Sequence, residues 1–355
     1  MLKSIVLFNV FCLSLSFHLP PTNRFNLDIN RSSLKQRLTK APYHHDPSDF
    51  AYVTFSTTIG SNKQIGKFVV DTIAADLQVN LCPFSTYNPE DGECFQYTKS
   101  ATFKKVSDRT AEDSIADAFE HPIKNVTFAV STIPSKFMGN IGLGWPAASK
   151  YPGETTFPMD FLRGTNKKMF AVAISLTGCE SIIEYGGAEL CKENGNTSYL
   201  PNTSGAYWQF GIDGARLGTA KTIVRNHVVI DTKTEYIGMP KKFLQDITSQ
   251  NNITWDGLYG AYTVECRVIE TLPSLEFSVA GGTLNIHPAQ YVYLAEPLPN
   301  GKCVVSFEDS KAYGFGPDWY IGLEVLTDYC VSFDYEKKRI GFSQNTLFVP
   351  GCHHG

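Results

Sequence analysis

The chain runs to 355 residues, 43% of them hydrophobic, 13% aromatic and 19% charged, with a formal net charge of −4. Abundant aromatics, frequent Gly and Pro and scarce charge read as a β-rich globular protein and argue against a helical bundle. Residues 1–48 carry +4 and the remaining body −8, and an acidic body without a basic patch excludes nucleic acid as a partner.

Met1-Leu2-Lys3 is a positive start, followed by a mostly apolar run over residues 4–15 that is too short to cross a bilayer. The small residues Ser14 and Ser16 offer a cleavage position, so residues 1–16 are expected to be a secretory signal. No later stretch approaches about 18 uninterrupted apolar residues, so no membrane-spanning segment is expected. The expected location is secreted, or the lumen of the endomembrane and lysosomal system. Residues 17–48 form a small basic module. Within it Phe25-Asn26-Leu27-Asp28-Ile29 alternates like a strand, and a Ser cap at Ser32 opens a short helix. His44-His45 reads as a solvated pair in a linker that ends at Asp46-Pro47-Ser48.

From Phe50 onward strands and turns alternate. Strands are expected at residues 51–55, 67–70, 125–130, 169–175 and 181–185. A helix is expected over residues 241–247, where Pro240 sets the first position and Phe243, Leu244 and Ile247 share a face. A weaker helical pattern covers residues 151–163.

Outside the signal the cysteines are Cys82, Cys94, Cys179, Cys191, Cys266, Cys303, Cys330 and Cys352. An even eight in an exported chain reads as four disulfides. Cys82–Cys94 and Cys266–Cys303 bracket loops and are the first two pairs. For the other four, Cys179–Cys191 with Cys330–Cys352 competes with crossed pairings, and the sequence leaves the choice open. No paired C-x-x-C spacing supports a zinc site, and Cys352-His353-His354 reads as a disulfide followed by an exposed tail. Asn-X-Ser/Thr sequons at Asn30, Asn125, Asn196, Asn202 and Asn252 suit a glycoprotein, with Asn196 and Asn202 expected in surface loops.

One phrase is written twice. Phe68-Val69-Val70-Asp71-Thr72-Ile73 recurs in outline as Val228-Val229-Ile230-Asp231-Thr232-Lys233, 160 residues later. Each copy is followed by an apolar-Gly element, Asn140-Ile141-Gly142-Leu143-Gly144-Trp145 and Trp319-Tyr320-Ile321-Gly322-Leu323. Glycine inside an apolar strand marks close passage of another backbone. Two lobes, each bringing one carboxylate to a shared site, account for both repeats.

These residues resemble the pepsin-like aspartic peptidases, and the resemblance covers the chain from Phe50 to about Leu347. Phe68 to Val79 is similar to that family's first active-site strand, and Val228 to Pro240 to its second. Tyr207-Trp208-Gln209-Phe210 resembles the crossing into the second lobe, and Phe333-Asp334-Tyr335 through Gly341-Phe342 the closing hairpin. The resemblance implies a mainly β, bilobal fold with a peptide-binding cleft between barrel-like lobes, here an N-terminal lobe over 49–205 and a C-terminal lobe over 206–355. It casts residues 17–48 as a shortened prosegment. It also implies Asp71 and Asp231 as a catalytic dyad, Thr72 and Thr232 as supports bracing the opposite loop, and a peptide or unfolded protein as partner. No metal or organic cofactor is implied, and a monomer is expected.

Such a dyad works in the aspartic proteases because two carboxylates too close to ionise together share one proton. The charged member deprotonates a water and the protonated member polarises the scissile carbonyl. Here Ile73 and Lys233 stand where the family has Gly, and both are expected to perturb the site. A β-branched side chain crowds water or tilts Asp71. An ammonium within about 4–6 Å favours the charged form of both carboxylates, which would remove the general acid. Ala74, Ala75, Gln78 and Glu235 also replace residues that tune the family's dyad. From Asp71 to Gly142 is 71 residues, whereas Asp231 to Gly322 is 91. The deficit falls where the family carries its flap, and residues 101–128 hold neither Tyr nor Gly, so the flap is expected to be shortened or lost. The function expected is that of an aspartic endopeptidase homologue, catalytically impaired. The alternative is a non-catalytic protein that binds peptide or protein in a retained cleft.

Overall fold

The computed structural model describes residues 24–30 (backbone only), 52–82, 93–116, 122–132, 135–151, 156–163, 165–174, 181–192, 196–234, 236–293, 297–312 and 316–345. The expected signal, the Ser32 helix, the His44-His45 linker, Glu235, Cys179 and Cys352 lie outside these residues.

The first half builds β1 (Arg24–Asn30), β2 (Tyr52–Ile59), β3 (Gln64–Asp71) and β4 (Leu77–Asn80). Then come β5 (Lys104–Lys105), β6 (Thr110–Ala116), β7 (Pro122–Ser131) and β8 (Gly139–Gly142). A connecting group follows, β9 (Met169–Ala173), β10 (Ser181–Tyr185) and β11 (Ser198–Pro201). The second half starts with β12 (Gln209–Ile212), β13 (Gly214–Leu217), β14 (Ala220–Thr222), β15 (Asn226–Ile230) and β16 (Ile237–Met239). It continues through β17 (Thr254–Asp256), β18 (Ala261–Glu265), β19 (Leu275–Val279), β20 (Gly282–Ile286), β21 (Val292–Tyr293) and β22 (Lys302–Val305). The last strands are β23 (Phe307–Asp309), β24 (Trp319–Ile321), β25 (Tyr329–Asp334) and β26 (Arg339–Gln344). The fold is mainly β and bilobal, as the repeated phrases imply.

The two lobes repeat one strand arrangement around each Asp-Thr phrase. In the first, β3 runs parallel to β8, β8 antiparallel to β4, and β4 parallel to β7. In the second, β15 runs parallel to β24, β24 antiparallel to β16, and β16 parallel to β23. Strands covered on both faces read as continuous apolar runs rather than alternating ones, which is why Phe68-Val69-Val70 and Val228-Val229-Ile230 are buried throughout.

The chain ends cross back between the lobes. β25 pairs with β9 and with β26, and β26 pairs with β11, so the closing hairpin completes a sheet shared by both halves. In that same sheet β1 lies between β10 and β2, where the alternation of residues 25–29 predicts a strand. An aromatic knot of Trp145, Phe170, Trp208, Phe333 and Tyr335 sits beneath the site. Within it the Trp208 indole N–H and the Tyr335 hydroxyl each donate to the Leu143 carbonyl at 2.6 Å, one residue past Gly142. Burial of these rings joins the halves, and the shared carbonyl satisfies both polar tips.

The helix after Pro240 forms over Lys241–Gln250 and buries Phe243, Leu244 and Ile247, while the weaker pattern yields, among the described residues, Phe157–Phe161. Disulfides join Cys82 to Cys94 and Cys266 to Cys303 as expected, and Cys191 to Cys330, so a crossed pairing is the one adopted. That third bridge ties the connecting segment to β25. No helix among the described residues is long and apolar enough to cross a membrane.

Candidate active site

Both Asp-Thr phrases end their strands at the middle of the molecule. Asp71 closes β3 opposite Gly142 of β8, and Asp231 directly follows β15, whose Ile230 pairs with Ile321 of β24. The two glycines are needed by close backbone approach. A Cβ at Gly142 would lie 2.6 Å from the Asp76 amide nitrogen and carbonyl oxygen, and one at Gly322 would lie 2.3 Å from the Thr234 carbonyl oxygen.

The threonines lock the two loops together. The Thr72 hydroxyl donates to the Ile230 carbonyl at 2.8 Å and the Thr232 hydroxyl donates to the Val70 carbonyl at 2.7 Å. In return the Thr72 amide donates to Thr232 Oγ1 at 3.2 Å and the Thr232 amide to Thr72 Oγ1 at 3.1 Å. Both side chains are fully buried, so these four bonds satisfy groups that water does not reach. The reciprocity is what two related lobes make when their loops meet face to face.

The carboxylates are held unequally. Asp71 Oδ1 accepts from the Ile73 amide at 2.9 Å and the Ala74 amide at 3.0 Å. Asp231 Oδ1 accepts from the Lys233 amide at 2.8 Å, while the Thr234 amide turns to the Asp231 carbonyl. Neither of these backbone donors requires glycine, so Ile73 and Lys233 leave the hydrogen-bonding frame of the loops intact. What changes is the space and charge above it. Lys233 folds over the site and puts its ammonium 3.4 Å from Asp71 Oδ2.

The Lys233 ammonium is expected to favour ionisation of both carboxyls, and at Asp231 it acts in that direction but is outweighed, so that Asp231 is pushed up to about 6. Burial is the largest cause, since desolvation disfavours the charged form. The Lys233 amide opposes it, the Asp71 charge reinforces it, and the Lys233 ammonium and Glu308 follow as smaller opposed influences. The site thus keeps a carboxyl, Asp231, that holds its proton in mild acid, while Asp71 is engaged by two amides and an ammonium. Glu308 on β23 and Tyr320 on β24 do not stand out in the sequence as site residues. Tyr320 is raised by its own burial and by the charges around it, Asp231 among them. Alternation is the available signal, because Trp319 and Ile321 on either side of Tyr320 are buried in the lobe.

Two strands stand where the flap is expected to be shortened or lost. β6 and β7 pair antiparallel from Thr110↔Ala129 to Ala116↔Pro122, with a register shift between Asp113 and Ile115. These two strands therefore pair within the shortened lobe, and residues 117–121 between them lie outside the described residues. The 20-residue difference between the lobes removes neither strand. The absent Tyr and Gly in residues 101–128 remain as the sequence shows them. Of the altered neighbours, Ala75 is buried and Gln78 on β4 is half-buried. No cluster of three or more potential metal ligands occurs among the described residues.

Two lobes of matching strand order, meeting at paired Asp-Thr loops braced by reciprocal threonine bonds, define a pepsin-like acid protease architecture. The chain belongs to the eukaryotic aspartyl protease family, whose model matches residues 51–345. It is 32% identical over 226 residues to aspartic protease 17 of Caenorhabditis elegans, covering 62% of this chain and 56% of that protein. It is 28% identical over 320 residues to aspartic protease 1 of the same organism, covering 81% of this chain and 80% of that one. A cathepsin D of Dictyostelium discoideum is 25% identical over 338 residues, covering 83% of this chain and 84% of its own. The match to aspartic protease 17 thus spans little more than half of that relative's length.

Proposed function

We propose that this chain is a secreted or lumenal aspartic peptidase homologue that holds peptide in the cleft between its lobes and has its hydrolytic step suppressed by Lys233. The observation that carries the reading is the 3.4 Å approach of the Lys233 ammonium to Asp71 Oδ2. In the family's reaction one carboxylate takes a proton from water as the other carboxyl donates to the scissile carbonyl. Asp231, raised to about 6, supplies the donor in acid. Asp71 is then the base, and its Oδ1 already accepts two amides while its Oδ2 faces an ammonium. Two amides on Oδ1 and an ammonium at Oδ2 occupy the lone pairs with which Asp71 would take a proton from water. The suppressed step is therefore proton removal from water, with the acid partner kept.

Retained binding follows from the frame. The loops are still braced by Thr72 and Thr232, and the β6–β7 strand pair is present in the first lobe. Peptide or unfolded protein is the ligand class, with no metal or organic cofactor, and the functional unit is a monomer with lobes near 49–205 and 206–355. A second reading, an acid-active endopeptidase of low turnover, is favoured by one observation, the raised Asp231, pushed up to about 6 at the end of a braced loop. Incubation of the purified chain with unfolded casein and with a fluorogenic peptide at pH 3–6 separates the two. Binding of peptide without turnover supports the proposal. Efficient pepstatin-sensitive cleavage that Asp231→Ala abolishes would overturn it in favour of the second reading.

A further inference from the structure

The five sequons are not equivalent once the chain is folded. Asn202, expected in a surface loop, is half-buried, with its Nδ2 donating to the Ser204 carbonyl at 2.5 Å and its Oδ1 accepting from the Gln209 amide at 2.8 Å. A sugar on that nitrogen would have to fit beside both bonds at a half-buried position. Asn196 is exposed, but the next residue, Thr197, shares a 2.9 Å hydroxyl bond with Ser343. The Asn30 and Asn125 side chains lie outside the described residues.

Asn252 is presented differently. It is exposed, has a φ of 54°, and lies just past the helix Lys241–Gln250. Asparagine tolerates the left-handed conformation, so stopping the helix explains an Asn or Gly at 252. It does not explain Thr254 two residues later, which is exposed at the start of β17. Ile253 between them is buried and anchors the segment, turning its neighbours outward.

The β17–β18 hairpin carries a second observation. Trp255 is 59% exposed and Leu258 69%, and Trp255 rests edge-on against Tyr262 at 5.1 Å. The chain has four tryptophans, and the other three, Trp145, Trp208 and Trp319, are buried. Trp255 and Leu258 thus leave an open apolar surface beside an acceptor sequon. Trp255 lies three positions beyond Asn252, at most about 10 Å along the chain, within reach of the first sugars of a glycan. Sugar rings present apolar C–H faces that suit an aromatic face.

We infer that Asn252 carries an N-linked glycan whose first sugars lie over Trp255. The inference rests on the secretory reading. Asn252 Nδ2 bonds to the anomeric carbon of a lipid-pyrophosphate-linked oligosaccharide. The carbon–oxygen bond to the pyrophosphate breaks, the lipid pyrophosphate leaves, and one amide proton is released.

The test is expression of the full chain, with its own N-terminus, in a eukaryotic secretory host. Enzymatic removal of glycans in heavy-oxygen water should leave labelled Asp at position 252. Asn252→Gly, which keeps the helix stop, and Thr254→Ala, which keeps the asparagine, should each lose the mass of one glycan. Iodide quenching of tryptophan fluorescence should increase on deglycosylation of the wild type, because Trp255 is the tryptophan that iodide can reach. Unlabelled Asn252 in secreted protein overturns the inference alone. Labelled Asn252 with unchanged quenching overturns the covering of Trp255. A chain retained in the cytosol without glycans overturns the secretory reading as well.

Discussion

Lys233→Gly removes the ammonium that lies 3.4 Å from Asp71 Oδ2 and leaves the loop otherwise as it is, because the amide of residue 233 continues to donate to Asp231 Oδ1. Two unit charges at this separation attract by about 1 kcal/mol in water and about 5 kcal/mol at an effective dielectric constant near 20. The Lys233 side chain is 38% exposed and that of Asp71 9%, so solvent screens the pair strongly. A value of about 1–2 kcal/mol is the appropriate scale after that discount. If the pair must break for Asp71 to accept a proton, its removal raises kcat/KM about 5- to 30-fold. Steady-state cleavage of a fluorogenic peptide from pH 3 to 8 measures this. Loss of the ammonium also removes a charge that stabilises ionised Asp231, so the alkaline limb of the pH profile should move upward from about 6. Unchanged turnover in Lys233→Gly, with the peptide still bound, refutes the assignment of Lys233 as the suppressing group.

The remaining expectations concern stability. Asp231 has a folded pKa of about 6 against an ordinary 3.8, so between these values the folded state binds more protons than the unfolded one. Stability contributed by the neutral form is therefore complete below the ordinary value and lost as pH rises through about 6, by roughly 2–3 kcal/mol. Asp231→Asn should raise the melting temperature at pH 7 and change it little at pH 3, which calorimetry reads directly. Thr72→Val leaves the Thr232 amide and the Ile230 carbonyl without their partner, at about 1–3 kcal/mol for each buried group, seen as a lower urea midpoint. Gly322→Ala drives a Cβ to within 2.3 Å of backbone oxygen, and greatly reduced yield of folded protein is the expected result. Cys330→Ser opens the bridge across 139 residues and should cost about 2–5 kcal/mol under non-reducing conditions.

Much of the architecture is legible in the sequence because the repeated phrases encode repeated physics. Apolar strands ending in Asp-Thr, each followed by an apolar-Gly strand, specify two loops that must approach another backbone closely. The structure meets that need at Gly142 and Gly322. Short disulfide loops are readable from spacing, whereas Cys191–Cys330 is not, since it depends on β25 returning to pair with β9. The β6–β7 pair escapes a sequence reading because a search for the Tyr and Gly of a flap does not detect a strand pair built without them. Asn202 lies in a loop as expected, but it is half-buried because it bonds to Ser204 in its own loop and to Gln209 at the start of β12.

The sequence by itself determined the fold family, both carboxylates, the bracing threonines and the presence of a lysine where the family has glycine. These are properties of residue type and order, and they persist whatever the side chains do. Only the tertiary structure decided what the lysine does. A lysine side chain has enough rotatable bonds to face solvent or the dyad, and its choice of Asp71 follows from a nearly buried carboxylate within reach. Burial likewise decided that Asp231 would rise rather than fall, because desolvation is a sum over everything packed around a group.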